Sequence, residues 1–583
     1  MLQGDTVRTR RDLIGSWRRG VPPIAVGASV AVILAVLHVL WLARFRWGYI
    51  TDWDEAGYIS QALHDVEGLT RGPIQFVDAV GHSFGPYPPV VPVSAVPLLL
   101  LFGRSADVAQ LTIPIYSVLL VLATYGVARH LMAARWAALA ALCLGTAPVV
   151  SDYSRLFHFA VPAAALLTAA LWALLNSAGL RRTGWVATAG VLLALMLTAR
   201  TMTVSYLPGV ALGTVVPILV QREDRRLRIR NLVVLWAVAL AIAALWWVPA
   251  WDHVTGYLTS TGYGSEAAGY GVQHSVLSVD FWTVELQAVA NYLYLPLLLT
   301  ILACFVTAAA FALIKAGKGE PWRSNVRRWL TSDAFLLVTV VVGGYFALTS
   351  TSNQGTAFAL PWLPALVVLG VAAATTVPAR SLRVGLAVLL VAVCALNTAM
   401  KNGVSTRLST PISTEVPLIG TVTVLDGRDL LYAASDGLGY PVRPPPSRLP
   451  AMHKRWSTLN DRLMRFMTSY AEERTREPVI VVGTGDYFIN ETRLALASEL
   501  IFQRRPDLGL IRGPATGESY RSQLADYNFL ITSEPPRAQS SVPANPFVLA
   551  DSALRVGFRP VETLHAPDGR RVAVWWRDHA PTT

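Results

Sequence analysis

The chain has 583 residues, of which 53% are hydrophobic and only 15% are charged, whereas roughly a quarter of the residues are charged in an ordinary soluble domain. Apolar runs of near-membrane length recur as far as about residue 400. This composition excludes a set of soluble domains and predicts an integral membrane protein. The net charge of +12 comes largely from basic residues between the apolar runs, so it indicates loop orientation and not nucleic-acid binding.

The first 20 residues are rich in Arg and precede an apolar stretch from Val21 to Ala43. A cleaved signal peptide also begins this way, but its apolar core spans only ~7–15 residues and a small-residue cleavage site follows. Here the bulky residues Trp41, Phe45 and Trp47 follow. We therefore predict a cytoplasmic tail over 1–20 and a retained first helix whose far end emerges outside.

Basic turns alternate along the next 360 or so residues as expected if every second turn is cytoplasmic. This pattern predicts a transmembrane domain over 21–400 with about eleven crossings and an external C-terminus. Val90–Phe102 is apolar, but Pro97 interrupts it and a crossing there would invert every later basic turn. We predict that it lies on the outer face, within a first external loop over 46–106. The turns predicted to be cytoplasmic are 129–135, 181–182, 221–230, 315–328 and 380–383.

The composition becomes polar after about residue 400. Residues 401–450, which end in PVRPPPSRLP, are predicted to be a Pro-rich linker. Residues 451–583 contain no cysteine, so no disulfide holds them, and their alternating helix and strand patterns predict an external α/β domain. Helices are predicted at 452–473 and 490–503, and strands at 478–483, 527–532 and 571–577.

Three carboxylates follow the first membrane helix within four residues, namely Asp52, Asp54 and Glu55. They are candidates for acid–base chemistry at the outer membrane surface. The alternative is that they are solvated acids at the N-terminus of the following helix, with Asp52 or Asp54 as its cap. Spacing alone does not decide between these interpretations.

The sequence DWDEAGYISQAL at 52–63 resembles the Asp-Glu motif, D-E-x-x-Y, of the GT-C superfamily of membrane glycosyltransferases. Further motifs resemble the branch that includes protein O-mannosyltransferases and lipid A aminoarabinose transferases, and they occur in the same order. The resemblance covers about residues 20–400. The matching segments are PPVVP at 88–92, LFG at 101–103, VARHL at 127–131, Arg155, and LPWLPAL at 360–366.

This resemblance implies a GT-C fold and an inverting transferase that takes a sugar from a polyprenyl-phosphate carrier on the external side. Asp54 matches the catalytic aspartate of the family and is the predicted general base. Glu55 is also predicted to be a catalytic residue. Because it is the neighbour of Asp54 on a helix, it would point in another direction and orient the loop or the acceptor. Asp52 and Tyr58 are predicted to bind substrate, although Asp52 has no counterpart that we can name.

A lipid-phosphate leaving group calls for a cation near the outer surface. Arg155 is the first choice because the family also places an Arg there. His158 lies at the same outer end, and Arg200 and His253 lie at two others. The alternative for each Arg is contact with lipid headgroups from a helix end. The aromatic loop over 251–290 could stack against a sugar or cover a lipid groove, and the alternative is an aromatic belt at the membrane interface.

No metal-ligand spacing such as H-x-H or H-E-x-x-H is present, so no metal or other cofactor is predicted to be required. The expected partners are a lipid-linked sugar donor and an envelope glycan, lipid or protein acceptor, with no nucleic acid. The Arg-rich composition is typical of a GC-rich genome and favours a bacterial cell membrane. A non-catalytic GT-C relative, or a lipid or polysaccharide transporter, remains the alternative, although a transporter should carry more ionisable residues in mid-membrane.

Overall fold

The computed structural model is mostly helical, with a sheet near its C-terminus. It describes residues 23–48, 53–81, 88–264, 274–275, 277–316, 322–351, 353, 357–402, 411–427, 449–483, 488–504, 506–511, 517–534 and 546–578. Asp52 and the predicted tail over 1–20 lie outside these ranges.

Nineteen helices, numbered here among the described residues, precede the first strand, and a short 3₁₀ turn, Thr201–Tyr206, interrupts them. They are α1 Pro23–Phe45, α2 Trp53–Arg71, α3 Pro73–Gly81, α4 Val90–Phe102, α5 Ala106–Gln110, α6 Thr112–Leu131, α7 Ala134–Gly145, α8 Pro148–Tyr153, α9 Ala160–Asn176, α10 Thr183–Leu197, α11 Leu207–Val220, α12 Arg225–Trp247, α13 Trp251–Gly262, α14 Val279–Leu293, α15 Leu295–Ala316, α16 Trp322–Leu330, α17 Asp333–Thr349, α18 Leu363–Thr376 and α19 Arg380–Lys401.

Six of the described helical segments are long and apolar enough to cross a membrane. Six more apolar helices are shorter, and one of these is α4. Leaving α4 aside, six long and five short helices give eleven, the number that the alternating basic turns predict. The chain is thus a multi-pass membrane protein, as predicted. The six long segments are Ile24–Phe45, Ala106–Leu131, Thr201–Val220, Arg225–Trp247, Leu295–Ile314 and Arg380–Lys401.

Helix α4 packs one side against α2 and leaves the other exposed. Val91, Ala95 and Leu99 are buried at helical spacing, whereas Leu101 is 75% and Phe102 is 68% exposed. Such an apolar exposed end suits the boundary between protein and lipid. The geometry agrees with a short helix that covers α2 instead of crossing the membrane by itself.

A β-hairpin follows α19 in the segment predicted to be a linker. Strands β1 (Ile412–Val416) and β2 (Gly420–Leu425) pair antiparallel. The hairpin lies on α14: the side-chain amide of Gln287 donates to the carbonyl oxygen of Thr421 at 3.1 Å, and Asn291 accepts the N–H of Thr423 at 2.8 Å. The sequence pattern did not reveal this hairpin.

The C-terminal region is an α/β layer, as predicted. Its elements are α20 Leu449–Glu472, β3 Val479–Val482, α21 Glu491–Phe502, β4 Asp507–Leu510, α22 Gly517–Leu524, β5 Phe529–Glu534, α23 Pro546–Arg555, β6 Arg559–His565 and β7 Arg571–Trp576. The five-stranded sheet has the order β4-β3-β5-β7-β6. Strand β3 pairs parallel with β4 and β5, whereas β7 pairs antiparallel with β5 and β6. Strands β4 and β6 and helices α22 and α23 were not predicted from the sequence.

The α/β layer docks on the membrane part through helix α21. This helix packs along α2, and its Leu496 joins the hydrophobic core of the membrane helices. At the edge of the contact, Arg104 lies 3.9 Å from the fully buried carboxylate of Glu499. The helix that carries the Asp-Glu motif is therefore packed by both parts of the protein.

Candidate active site

Asp54 and Glu55 lie in the first turn of α2, where the exposed backbone N–H groups and the helix dipole favour negative charge. The two neighbours have different surroundings. The side chain of Asp54 is 37% exposed, whereas that of Glu55 is fully buried. Only Asp54 is thus accessible to a molecule arriving from outside the protein.

Glu55 joins three parts of the chain. One carboxylate oxygen lies 2.6 Å from a guanidinium nitrogen of buried Arg46, and the other accepts the N–H of Phe157 at 2.9 Å. Arg46 also donates to the carbonyl oxygen of Arg155 at 3.0 Å. Glu55 therefore fixes the end of α1, the start of α2 and the turn after α8 relative to one another.

His158 lies beside Asp54 at the start of α9. Its Nδ1 accepts the N–H of Ala160 at 3.2 Å, so the proton of a neutral ring belongs on Nε2. Nε2 is 3.9 Å from Oδ2 of Asp54. Burial lowers the pKa of His158 well below its usual value, and the charge of Arg200 lowers it further. A neutral imidazole thus faces the carboxylate without neutralising it.

Arg200 is the cation whose charge acts on His158. Its Nη1 donates to the carbonyl oxygen of Ala357 at 2.9 Å, and its guanidinium carbon stacks over the rings of Phe159 and Phe358 at 4.4 and 4.0 Å. Contact with two aromatic faces orients the guanidinium group but does not neutralise its positive charge. The protein therefore keeps a buried, oriented cation close to the Asp54–His158 pair.

Two tyrosines complete this group. Burial raises the pKa of Tyr58 well above its usual value; Asp54 and then Tyr257 raise it further, while Arg200 opposes them. Tyr58 is buried one turn along α2 from Asp54, and Tyr257 is half-buried on α13. Asp54, Tyr58, His158, Arg200 and Tyr257 are called the Asp54 cluster below.

Arg155 faces a different set of residues. Its Nη1 donates to the carbonyl oxygen of Lys401 at 2.6 Å and its Nη2 to Oδ1 of Asn402 at 2.8 Å. Its guanidinium carbon stacks over Trp41 at 4.4 Å. Lys401 in turn lies 2.8 Å from buried Asp152. These contacts of Arg155 tie the turn after α8 to the end of α19.

The other predicted residues are placed as follows. His253 is exposed on α13. Asp52 lies outside the described residues, as do residues 265–273 and 276 of the aromatic loop over 251–290, whose other residues include α13 and the start of α14. Among the described residues, no three His, Cys, Asp or Glu side chains lie together where they could hold a metal ion. The roles of His253 and Asp52 and the expected lack of a required metal stay predictions.

The sequence placed Tyr257 only within the predicted aromatic loop, without linking it to Asp54, and the ion pair between Asp152 and Lys401 was not predicted. A visible signal existed for Lys401: a lysine that ends an apolar helix is expected to have a buried partner or to reach the membrane surface. Its partner is 249 residues away, which no local spacing reveals. The assembly of the cluster from helices α2, α9 and α13 is likewise a property of the fold.

Comparisons with known proteins agree with this architecture. Residues 87–248 match the family described as dolichyl-phosphate-mannose-protein mannosyltransferase. ArnT from Cupriavidus metallidurans bound to undecaprenyl phosphate is 16% identical, with 94% of this chain and 97% of that chain covered and a TM-score of 0.54. No curated protein sequence matches significantly.

A second solved structure points the same way. The archaeal oligosaccharyltransferase AglB from Archaeoglobus fulgidus, in complex with an inhibitory peptide and a dolichol-phosphate, is 14% identical. The alignment covers 87% of this chain and 69% of that chain, with a TM-score of 0.52. The predicted resemblance to the GT-C superfamily of membrane glycosyltransferases, and with it the predicted fold class, is confirmed.

Proposed function

We propose that this multi-pass membrane protein with the GT-C fold is an inverting glycosyltransferase that moves a sugar from a polyprenyl-phosphate carrier to an external acceptor. The observation that carries the proposal is the Asp54 cluster, in which a part-exposed carboxylate and a buried cation share the neighbours His158 and Tyr58. These are the two charges that the reaction needs, one to accept a proton and one to hold a phosphate.

In the proposed reaction, Asp54 takes the proton of the acceptor hydroxyl or amine. The acceptor atom attacks the anomeric carbon from the face opposite the carrier, and the bond from that carbon to the phosphate oxygen breaks. The carrier leaves as a lipid phosphate, and the configuration inverts. His158 supports this role because a neutral ring beside the carboxylate lowers its basicity less than a charged one would.

We assign the carrier phosphate to Arg200, and this assignment changes the order of the sequence-based candidates. The charge of Arg200 lowers the pKa of His158 and opposes the rise in the pKa of Tyr58, and both residues are neighbours of Asp54. The two terminal nitrogens of Arg155, by contrast, donate to the end of α19. A guanidinium grips two phosphate oxygens with a planar fork, which suits this role at either position.

We further propose that the α/β layer contributes to acceptor binding on the external side and that no resident metal takes part. Packing of α21 along α2 supports the first point, because it brings the layer to the helix that carries Asp54. The bacterial cell membrane, with 46–106 and 401–583 outside, is the proposed location. Cysteines introduced at Ser83 and Ser447 should react with an external reagent before permeabilisation.

The test of function is incubation of the purified protein with a panel of polyprenyl-phosphate sugars, including mannose and arabinose. One member should be hydrolysed or transferred with inversion, and Asp54→Asn should lower the rate of that reaction by about 10²-fold or more. Movement of intact lipid or polysaccharide across a vesicle membrane, with no member of the panel consumed, would instead support the transporter alternative.

A further inference from the structure

A buried carboxylic acid occurs on helix α14, outside the Asp54 cluster. The buried side of this helix carries Phe281, Glu285, Val289 and Tyr292 at helical spacing, so an acid occupies a position where an apolar residue is expected. Glu285 is only 6% exposed. Its Oε1 has no hydrogen-bond partner among the residues that the structure describes. Burying such a carboxyl oxygen destabilises the folded protein unless the oxygen forms a hydrogen bond.

Three tyrosines lie close enough to Glu285 to be influenced by its charge, namely Tyr206, Tyr292 and Tyr345. Two of them have already used their single hydroxyl proton. Tyr206 donates to the carbonyl oxygen of Phe358, and Tyr345 donates to that of Trp282. These hydroxyls therefore shape a polar environment around Glu285 without donating a proton to it.

The same tyrosines connect Glu285 to the cation of the Asp54 cluster. The charges of Glu285 and Arg200 both act on the hydroxyl groups of Tyr206 and Tyr292. The turn at Ala357 joins them directly: its carbonyl oxygen accepts from Arg200 at 2.9 Å, and its N–H donates to the hydroxyl oxygen of Tyr292 at 2.6 Å. Glu285 thus lies near the proposed phosphate position.

Burial raises the pKa of Glu285 to about 8, so the free protein holds it mostly as a neutral acid at pH 7. A neutral carboxyl group both donates and accepts a hydrogen bond. A sugar hydroxyl has the same two abilities, so the two groups match. A sugar attached to a phosphate held by Arg200 would present its hydroxyls within the region that contains Glu285.

We propose that Glu285 binds a hydroxyl group of the sugar on the donor lipid and so helps to select which sugar is transferred. This inference rests on the proposed function and deepens it. It makes Glu285 a binding residue for the sugar, distinct from the base Asp54 and from the phosphate ligand Arg200.

The experiment compares two lipids: undecaprenyl phosphate alone, and the polyprenyl-phosphate sugar that the wild-type protein consumes. Glu285→Leu should weaken affinity for the sugar-bearing lipid by about 10- to 100-fold, the effect of losing a buried hydrogen bond. Affinity for the bare lipid should stay within about twofold by the same reasoning. Glu285→Gln, which keeps a donor and an acceptor, should lose less than Glu285→Leu.

The matched control is Gln287→Leu on the hairpin-facing side of the same helix, which should change neither affinity. Equal losses for both lipids, or none for either, would overturn the inference. If Glu285→Gln loses as much affinity as Glu285→Leu, the inference is also overturned. That result would indicate that Glu285 binds an ammonium group of an amino sugar as a charged carboxylate, and not a hydroxyl group. If the wild-type protein consumes no sugar-bearing lipid, the proposed function fails first, which is a separate result.

Discussion

Two sets of buried charges lie side by side at the predicted outer ends of the membrane helices, and their partners differ. In the first set, here called the outer charge network, Arg46, Glu55, Asp152, Arg155 and Lys401 are joined to one another or to backbone carbonyls. In the Asp54 cluster, the charges are held by aromatic rings and single hydrogen bonds, and the carboxylate is partly exposed.

The difference indicates which charges are structural. Buried ions that satisfy each other fix the relative positions of α1, α2, α8 and α19, whereas the carboxylate of Asp54 is partly exposed and lies 3.9 Å from the neutral ring of His158. A partly exposed carboxylate is available to a substrate. The following predictions test this division, beginning with the largest expected effect.

Asp54→Asn preserves size and hydrogen bonding but removes the ability to accept a proton. Turnover of the donor should fall by about 10²- to 10⁴-fold with binding of the donor largely retained. Turnover and donor affinity are measured on the same purified sample. Asp252→Asn, at an exposed acid in the first turn of α13, is the control and should keep wild-type turnover. Normal turnover in the Asp54 variant would remove it from the catalytic role.

Glu55→Ala should chiefly affect stability, because it leaves the buried guanidinium of Arg46 without its carboxylate. Breaking a buried ion pair in this way costs about 3–5 kcal/mol. The expected result is a markedly lower melting temperature in detergent, with Asp54→Asn melting close to the wild type. If Glu55→Ala melts normally but loses turnover, Glu55 belongs with the catalytic residues after all.

Arg200→Ala should weaken binding of undecaprenyl phosphate by about 10- to 100-fold, since a charge-assisted contact to phosphate is lost. Arg155→Ala should instead lower the melting temperature, because two hydrogen bonds to the end of α19 are lost. Binding isotherms and melting curves for both variants give the comparison. The opposite result would return the phosphate to Arg155, the position that the sequence resemblance favours.

Asp65 predicts a pH dependence of stability. It is buried on α2, with Gln61 donating to one oxygen at 2.8 Å. Burial raises its pKa from 3.8 to about 7, against the opposing effect of that hydrogen bond. Between these two values the unfolded chain is deprotonated and the folded one is not. The free energy of unfolding should therefore fall as the pH rises, by up to about 1.4 kcal/mol per pH unit.

Asp65→Asn should remove this contribution. Relative to the wild type, the variant should gain stability from pH 5 to pH 7, with little further change above pH 8. Melting curves at a series of pH values give the difference between the two proteins, which cancels the titration of other groups. A constant difference would show that Asp65 titrates at its usual pKa.

Removal of metal ions should have the smallest effect. The sequence lacks a metal-ligand spacing, so we expect EDTA to leave turnover of the preferred donor unchanged. Added Mg²⁺, Mn²⁺ or Zn²⁺ should also leave it unchanged. Loss of turnover with EDTA, restored by one of these ions and not by the others, would contradict this expectation.

Much of the membrane fold was readable from the sequence because lipid imposes simple requirements. Apolar length and the alternation of basic turns predict the crossings, and Pro97 with the orientation argument predicts the placement of α4. The hairpin at 412–425 was missed because the Pro-rich run at 441–450 led the whole of 401–450 to be interpreted as a linker. Short strands such as β4 carry too few residues for a clear alternating pattern.

The candidate site was predictable only in part. Asp54 could be named because the motif is local, and the different role of Glu55 could be anticipated from helical geometry. The choice between Arg155 and Arg200 could not be made, since it depends on contacts with Lys401 and Ala357, both more than 150 residues away in sequence. Glu285 was hidden because a single acid in a half-polar segment looks solvated until its burial is known.

The docking of α21 on α2 has a consequence for how the protein can be divided. Since Leu496 belongs to the core of the membrane helices, a chain cut short before residue 449 would expose an apolar strip on the very helix that presents Asp54. Such a fragment should aggregate or lose the arrangement of α2, and the missing C-terminal part supplied as a separate chain should restore that arrangement only by folding onto the strip. The membrane part and the α/β layer are thus better regarded as one cooperative unit than as an enzyme with an appended module.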